Sequence, residues 1–202
     1  MKAKIKILGS TPGYDLAAGD YDAREAYLDG FEKEKFLSLL GDIKNKKILD
    51  VGAGTGRLSV RLSKMGASVT ALDVSEKMLA KLKSKSNKIE SVIGDAESLP
   101  FPDNSFDIVV AAFLIVHLKD PRRFFDEAYR VLKEDGVLAV TNINQKEPPE
   151  IKTQDGVIKI ESYYHRPERV RGLLEELAFG VEREVFVRTG ENWVNQILIA
   201  KK

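Results

Sequence analysis

Apolar positions along the chain switch between short continuous runs and helical spacing. Five runs predict strands, at residues 47–51, 68–72, 89–93, 106–112 and 137–141. After the first run, Leu58, Leu62 and Met65 recur at intervals of three and four residues, which predicts an amphipathic helix. Strands that alternate with helices in this way connect through right-handed crossovers, so we expect an α/β fold with a parallel sheet.

Polar residues and a glycine mark where the predicted helices begin and end. Ser75 precedes an apolar stripe, and its hydroxyl is suited to cap the helix that follows. Asp120 is the predicted cap of a later helix, with Pro121 as its first residue. Gly136 follows the apolar stripe of that helix, so we expect the helix to end there.

The two ends of the chain differ from its middle. Residues 20–41 are predicted to be helical, within an N-terminal helical cap at 1–44. At the other end, residues 167–202 are predicted to form a helix and two strands. The short link Thr189-Gly190-Glu191 between those strands predicts an antiparallel hairpin that closes one edge of the sheet.

Length and composition favour a single domain and exclude several classes of protein. The chain has 202 residues, of which 32 are basic and 31 acidic, so its net charge of +1 gives no attraction to nucleic acid. Cysteine is absent, which excludes disulfides, thiolate metal sites and cysteine nucleophiles. The longest apolar run is far short of the ~20 residues that span a bilayer, and no signal peptide is evident. We therefore expect a cytoplasmic protein with no membrane span.

The strongest chemical motif is the run ILDVGAGTGRLS at residues 48–59. Its three glycines, Gly52, Gly54 and Gly56, lie between a predicted strand and a predicted helix. Glycine there lets the backbone turn tightly and approach a ligand closely. Asp73 ends the second predicted strand, where a carboxylate can accept hydrogen bonds from both hydroxyls of a ribose. The glycine spacing differs from that of dinucleotide-binding folds, and no P-loop motif is present.

These motifs resemble the class I S-adenosylmethionine (SAM)-dependent methyltransferases, specifically the type-11 group similar to quinone-biosynthesis C-methyltransferases. The resemblance covers residues 45–142, the expected SAM-binding core. Four segments carry it: LDVGAGTG (49–56), ALDVSEKML (71–79), GDAESLPFPDNSFDIVV (94–110) and RVLKEDGVLAV (130–140). It implies a Rossmann-like sheet of seven mostly parallel strands in the order 3-2-1-4-5-7-6, with the last strand antiparallel and helices on both faces.

The resemblance also implies which residues bind the cofactor SAM and its product S-adenosylhomocysteine (SAH). Asp73 is the implied ribose ligand, and Asp95 with the Ala96 amide is implied to contact the adenine. Asp50 is implied to steady the glycine loop, and Tyr21 to touch the SAM carboxylate. The whole implied set is Tyr21, Asp50, Gly52, Ala53, Gly54, Gly56, Asp73, Val74, Met78, Asp95, Ala96 and Ala112.

Two histidines are the candidate catalytic residues. His117 follows the fourth predicted strand, at the carboxyl edge where open α/β sheets bind ligands. His165 lies in YYHRPE. Either is a candidate general base, because an unperturbed histidine titrates near 6.5. For each, a hydrogen-bonded structural role is the favoured alternative. The implied reaction is in-line attack of a small-molecule acceptor on the SAM methyl group, which requires no metal.

The sequence leaves two alternative functions open and disfavours a third. Tyr129 and Lys133 fit the Tyr-x-x-x-Lys pair of short-chain NAD(P) dehydrogenases, but they precede the fifth predicted strand, whereas that family needs them after it. A SAM-binding partner subunit without catalytic activity is a second alternative. Methylation of nucleic-acid bases is disfavoured, because the [DNS]PP[YFW] motif and a cysteine nucleophile are both absent.

Residues 144–166 form an extra segment between the fifth strand and the next helix. Such links usually have 2–6 residues. Gln154-Asp155-Gly156 is suited to turn a small hairpin there. Surplus chain at the carboxyl edge of a sheet often covers a site, so we predict that this segment shapes the acceptor site.

Overall fold

The helices and strands follow the predicted alternation through the middle of the chain. The computed structural model describes residues 5–32, 34–154 and 156–202. In chain order the elements are β1 (Lys6–Leu8), α1 (Ser10–Ala17), α2 (Glu25–Glu32), α3 (Lys35–Leu39), β2 (Lys47–Val51), α4 (Arg57–Lys64), β3 (Ser68–Asp73), α5 (Glu76–Lys85), β4 (Glu90–Ile93), β5 (Phe106–Ala111), α6 (Arg122–Val131), β6 (Leu132–Ile143), β7 (Glu150–Thr153), β8 (Gly156–Ile160), α7 (Pro167–Glu176), β9 (Gly180–Thr189) and β10 (Asn192–Lys201).

Seven strands form the main sheet in the order β4-β3-β2-β5-β6-β10-β9. Numbered within the sheet, this is the order 3-2-1-4-5-7-6 that the resemblance implied. Strands β2 to β6 pair in parallel, and β10 is antiparallel to both of its neighbours. The predicted C-terminal hairpin is present, with Gly190 at a φ of 60° in its turn. The α/β fold class is therefore confirmed.

Helices cover both faces of the main sheet. One face packs against α6 and α7 through fully buried side chains such as Phe124, Phe125 and Leu174. The other packs against α3, α4 and α5, where Phe36 and Leu62 are buried. Removing these apolar surfaces from water is the main driving force that holds the layers together.

The two predicted helix starts, at Ser75 and Asp120, are close to those observed. The predicted helix end at Gly136 is wrong. The Ser75 hydroxyl accepts a hydrogen bond from the Met78 N–H, as a helix cap should. Asp120 accepts one from the Arg122 N–H, although the helix itself begins after Pro121. Gly136 does not end that helix, because β6 has already begun at Leu132, which is fully buried and pairs with Phe106.

A second, three-stranded sheet has the order β1-β8-β7. The predicted hairpin in the extra segment supplies β7 and β8, and residue 155 of its turn lies outside the described residues. Strand β1, which the sequence analysis did not predict, pairs in parallel with β8. The inner face of this sheet packs on α1, so closely that a Cβ at Gly13 would lie 2.7 Å from Ile160 Cγ1. The small sheet therefore holds α1 in place.

Among the described helices, none combines the length and the apolar content that crossing a bilayer requires.

Candidate active site

A cavity of about 380 Å³ opens where β2, β3, β4 and β5 end. The start of α1 and the loop after β5 complete its walls. Most of the predicted site residues line this cavity: Tyr21, Asp50, Gly52, Ala53, Gly54, Asp73, Val74, Asp95, Ala96, Ala112 and His117. Gly56, Met78 and His165 are outside this lining. The structure thus brings together three of the four segments that carry the resemblance, at 49–56, 71–79 and 94–110. They meet at the carboxyl edge of the sheet, where open α/β folds bind ligands.

The glycine loop has a backbone conformation that other residues rarely adopt. Gly52, Gly54 and Gly56 have φ angles of 73°, 56° and 89°. Gly52 and Ala53 donate backbone hydrogen bonds to the Leu72 carbonyl, which ties the loop to the end of β3. At Gly56 an added Cβ would overlap the buried Leu82 side chain. The loop therefore needs glycine both for its backbone angles and for its packing.

Asp73 links the glycine loop to the following helix. Its Oδ2 accepts a hydrogen bond from the Gly54 N–H at 2.7 Å, and its Oδ1 accepts one from the Ser75 N–H at 2.9 Å. Burial raises the pKa of this carboxyl, although both hydrogen bonds oppose the rise. Each carboxylate oxygen keeps a further lone pair, so Asp73 has the capacity to accept hydrogen bonds from a ligand.

Asp50 is a second buried acid in the cavity wall. Its side chain accepts a hydrogen bond from the Ser59 hydroxyl at 2.5 Å, and 2% of the residue is exposed. Burial raises its pKa to about 6. Arg57 also lines the cavity, but its guanidinium is within 2.7 Å of both Asp29 and Glu32. Its charge is therefore largely neutralised by these partners.

The far end of the cavity is formed by the loops after β3 and β4. Asp95 Oδ1 accepts a hydrogen bond from the Glu97 N–H at 2.9 Å, which fixes the loop that carries the buried Ala96. Val74 completes this wall. Met78, predicted beside it, is fully buried in a cluster with α1 and the small sheet. Met78 therefore packs in the core beneath α1 rather than in the cavity wall.

The opposite end of the cavity is mostly apolar and aromatic. Leu28, Phe113, Leu114 and Leu118 contribute apolar side chains, and Phe113 has a φ of 58°. Among the described aromatic residues, Tyr163, Tyr164 and Trp193 are outside this lining.

The two histidines have different surroundings. His117 faces the cavity, and its Nε2 lies 2.6 Å from the hydroxyl of Tyr14, a residue of α1. Its Nδ1 lies 2.8 Å from the Glu161 carbonyl oxygen. His165 directs its Nε2 at the carbonyl oxygens of Ile115 and Leu118, both at 2.9 Å. Because carbonyls only accept hydrogen bonds, this nitrogen of His165 carries a proton and holds the loop after β5.

The dehydrogenase alternative finds no geometric support. Tyr129 packs edge-on against Phe179, with the Lys202 ammonium 4.8 Å from its ring centroid. Lys133 pairs with Asp107 at 2.8 Å. Neither Tyr129 nor Lys133 lines the cavity, so they do not form a catalytic pair beside a bound ligand.

The sheet order and the glycine-lined cavity are those of the Rossmann-like methyltransferases. Residues 49–140 match the sequence model of the family described as "Methyltransferase domain". A demethylmenaquinone methyltransferase of Thermotoga maritima is 35% identical over 158 residues, which are 75% of this chain and 66% of the relative. The ubiquinone/menaquinone biosynthesis C-methyltransferase UbiE of Roseobacter denitrificans is 35% identical over 58% of this chain and 50% of its own.

A solved structure supports the same assignment. The crystal structure of a SAM-dependent methyltransferase from Aquifex aeolicus is 26% identical, with a TM-score of 0.69 over 91% of this chain and 97% of that one. The chain belongs to the SAM-dependent methyltransferases, whose cofactor is SAM. It spans about half to two thirds of the length of the curated relatives it matches.

Proposed function

We propose that the protein transfers the methyl group of SAM to a small-molecule acceptor by in-line displacement. The observation that carries the proposal is the single cavity in which the glycine loop, two buried acids and an apolar wall meet. Holding the acceptor atom, the methyl carbon and the sulfonium sulfur in line can supply roughly 7–11 kcal/mol toward the barrier. Where the acceptor is anionic, its attack cancels the sulfonium charge, and an apolar wall that limits water favours that step.

The charges around the cavity favour a cationic cofactor. Asp50 and Asp73 are both buried in its wall, and the nearby Arg57 is already paired. SAM carries a sulfonium, an ammonium and a carboxylate, a net charge of +1, whereas the pyrophosphate of NAD carries two negative charges. In a poorly solvated site, such a difference in charge decides between ligands. We therefore favour SAM over a dinucleotide on electrostatic grounds alone.

We assign the parts of SAM along the cavity from the residues available. Asp73 holds the ribose hydroxyls, and the loop at Gly52, Ala53 and Gly54 lies against the methionine portion. Asp95, Ala96 and Val74 surround the adenine, with Ala112 beside them. Tyr21, at the α1 side of the cavity, contacts the carboxylate end. Gly56 and Met78 lie outside the lining, so we assign them no contact with SAM.

The acceptor then occupies the apolar end, beside Leu28, Phe113 and Leu118. Two relatives are named for quinone methylation, so demethylmenaquinone, reduced to the quinol that carries hydroxyl protons, is the first compound to test. We propose that the extra segment at 144–166 shapes this end indirectly. None of its described residues lines the cavity, but its strand β8 pairs with β1 and packs on α1, which does.

The direct test is ligand-dependent unfolding. SAM and SAH at 100 times their dissociation constants should each stabilise the fold by about 2.7 kcal/mol, and NADH should not. At about 2–4 °C per kcal/mol for a chain of this size, the shift in Tm is readily measured. A shift with NADH and none with SAM would overturn the proposal. Formation of SAH in the presence of acceptor separates an enzyme from a partner subunit that only binds SAM.

The pKa of Asp50 gives this binding a pH dependence. The carboxyl titrates at about pH 6 in the free protein, because burial disfavours its charge. A cationic ligand binds best to the ionised form, so SAM affinity should be constant above that pH and fall below it. One pH unit below the pKa, roughly a tenth of the sites are ionised, and binding should weaken by up to about tenfold.

Calorimetry of SAM binding across this pH range checks the expectation. The matched control is Asp50→Asn, which keeps the shape of the side chain and an acceptor for Ser59. This variant should bind SAM more weakly at neutral pH and should lose the dependence below pH 6. An equally steep pH dependence in the variant would place the titrating group elsewhere.

A further inference from the structure

A hydrogen-bonded pair of titratable side chains stands in the wall of the cavity. The Tyr14 hydroxyl lies 2.6 Å from His117 Nε2, and their rings meet edge to face at 5.2 Å. Both residues line the cavity. The pair joins α1 to the loop after β5, two segments separated by 103 residues. Neither the glycine loop nor the acids of the cofactor end take part in it.

The surroundings of His117 fix where its protons lie. Nδ1 is 2.8 Å from the Glu161 carbonyl oxygen, which can only accept, so Nδ1 carries the ring proton. Nε2 is then the nitrogen with the lone pair, and the Tyr14 hydroxyl donates to it. Tyr21 meets the Tyr14 ring edge to face, with the ring centroids 5.8 Å apart. The Tyr14 oxygen has two lone pairs, so it can accept a hydrogen bond from a ligand in the cavity.

We propose that Tyr14 and His117 form a proton relay that serves an acceptor carrying a hydroxyl or amine proton. This inference rests on the proposed function. The acceptor atom forms a bond to the methyl carbon as the bond from carbon to the sulfonium sulfur breaks. The acceptor's proton passes to the Tyr14 oxygen, and the original Tyr14 hydroxyl proton passes to His117 Nε2. The products are SAH, the methylated acceptor and a protonated His117.

The charge balance of the cavity suits this sequence of events. Before the reaction, the sulfonium carries one positive charge, and repulsion keeps His117 neutral and able to accept a proton. After the reaction, the sulfonium has become a neutral thioether, and the imidazolium carries the charge instead. The net charge of the buried site is unchanged, so the reaction avoids the desolvation cost of creating a new charge.

The charged and titratable groups around the relay are few. Burial raises the pKa of Tyr14 well above the ordinary value of 10.0. Tyr21 and Asp73 raise this pKa further, and Arg24 lowers it. Burial also lowers the pKa of His117, while its hydrogen bond to the Glu161 carbonyl opposes the change. His117 is therefore neutral at physiological pH, which is the state that a base must have.

The test uses the two histidines as probe and internal control. We expect nuclear magnetic resonance of protein labelled with ¹⁵N in its histidines to show His117 protonated at Nδ1, with a pKa below 6.5. Its pKa should be lower in the SAM complex than in the SAH complex, because only SAM carries the sulfonium charge. The ¹⁵N signals of His165, which lies outside the cavity lining, should be the same in both complexes. A structural His117 remote from the methyl group would show no difference between them.

A variant then tests the role of Tyr14. In Tyr14→Phe, the Nε2 lone pair loses its donor, so the pKa of His117 should rise in the SAH complex. Tyr27→Phe, a change at an exposed residue outside this cavity, should leave it unchanged. Equal His117 pKa values with bound SAM and bound SAH, or no response to Tyr14→Phe, would overturn the relay. Absence of any SAM binding in the unfolding assay would instead overturn the proposed function.

Discussion

Replacing Asp73 with alanine should weaken SAM binding by roughly 10²–10⁴-fold, because two charge-assisted hydrogen bonds of about 1.5–3 kcal/mol each are lost. The carboxylate lines the cavity and holds the Gly54 and Ser75 N–H groups, so its removal also loosens the loop that faces the cofactor. Calorimetric titration with SAM, performed well below the Tm of the variant, measures the change in affinity.

Asp107→Ala is the matched control for this measurement. Asp107 also accepts a backbone hydrogen bond, from the Lys47 N–H at 2.7 Å, and pairs with Lys133. It lies at the start of β5, away from the end that forms the cavity. Both variants lose an acceptor for a backbone N–H, but only Asp73→Ala should lose SAM affinity. Unchanged SAM affinity in Asp73→Ala would show that Asp73 has only a structural role in the turn after β3.

Gly56→Ala should destabilise the fold by about 2–5 kcal/mol. A left-handed φ costs a residue with a Cβ roughly 1–2 kcal/mol, and overpacking a core costs about 1–3 kcal/mol more. Gly56 has a φ of 89°, and its Cβ would overlap the fully buried Leu82. The midpoint of urea unfolding should fall accordingly, while the folded fraction of the variant should still bind SAM.

The control for Gly56→Ala is the same substitution at Gly172. That glycine lies inside α7, and a Cβ there would meet no atom within 4 Å. Alanine in a helix interior is favoured over glycine by about 0.5–1 kcal/mol, so Gly172→Ala should raise stability. The two variants thus make the same chemical change with opposite expected signs. A Gly56→Ala protein as stable as the parent would mean that the loop and Leu82 rearrange at little cost.

The main sheet could be predicted from the sequence because its signals are local. Each of the strands β2 to β6 contains or overlaps a short apolar run that the sequence shows locally, and Ser75 caps its helix as its position indicates. The cofactor end of the cavity follows from the same feature. Parallel strands bring their carboxyl ends to one edge, so Gly54, Asp73 and Asp95 had to meet there.

The acceptor end could not be predicted in the same way, because it depends on contacts between distant segments. Strand β1 has only three residues, and among them only Leu8 is partly buried. Its sequence therefore shows no recognisable alternation of apolar and polar positions. Helix α1 contains Pro12 and Gly13, which have low helix propensity. Tyr14 was visible as an aromatic residue, but nothing near it in the sequence indicates that it would meet His117.

The misplaced end of α6 has a different cause. Glycine commonly ends a helix, and Gly136 follows an apolar stripe at the expected place. In the structure Asp135 has a φ of 62°, and a Cβ on Gly136 would lie 2.7 Å from the Lys133 carbonyl oxygen. The glycine therefore allows a sharp bend near the start of β6. Pairing of Leu132 with Phe106, a contact across the sheet, ends the helix earlier than the local pattern indicates.

The parallel pairing of β1 with β8 has a consequence for the order in which the chain folds. It joins Lys6 to Ile158, a closure of about 150 residues, and such distant contacts form late because the intervening chain must first lose its freedom. The pairings among strands β2 to β6 join segments that are much closer in the chain, the most distant being β2 with β5, where Ile48 pairs with Ile108. We expect the main sheet to form while residues 5–17 are still undocked. The glycine loop would then be exposed to solvent until α1 docks beside it. Docking of α1 would complete the fold and close the cavity in one step.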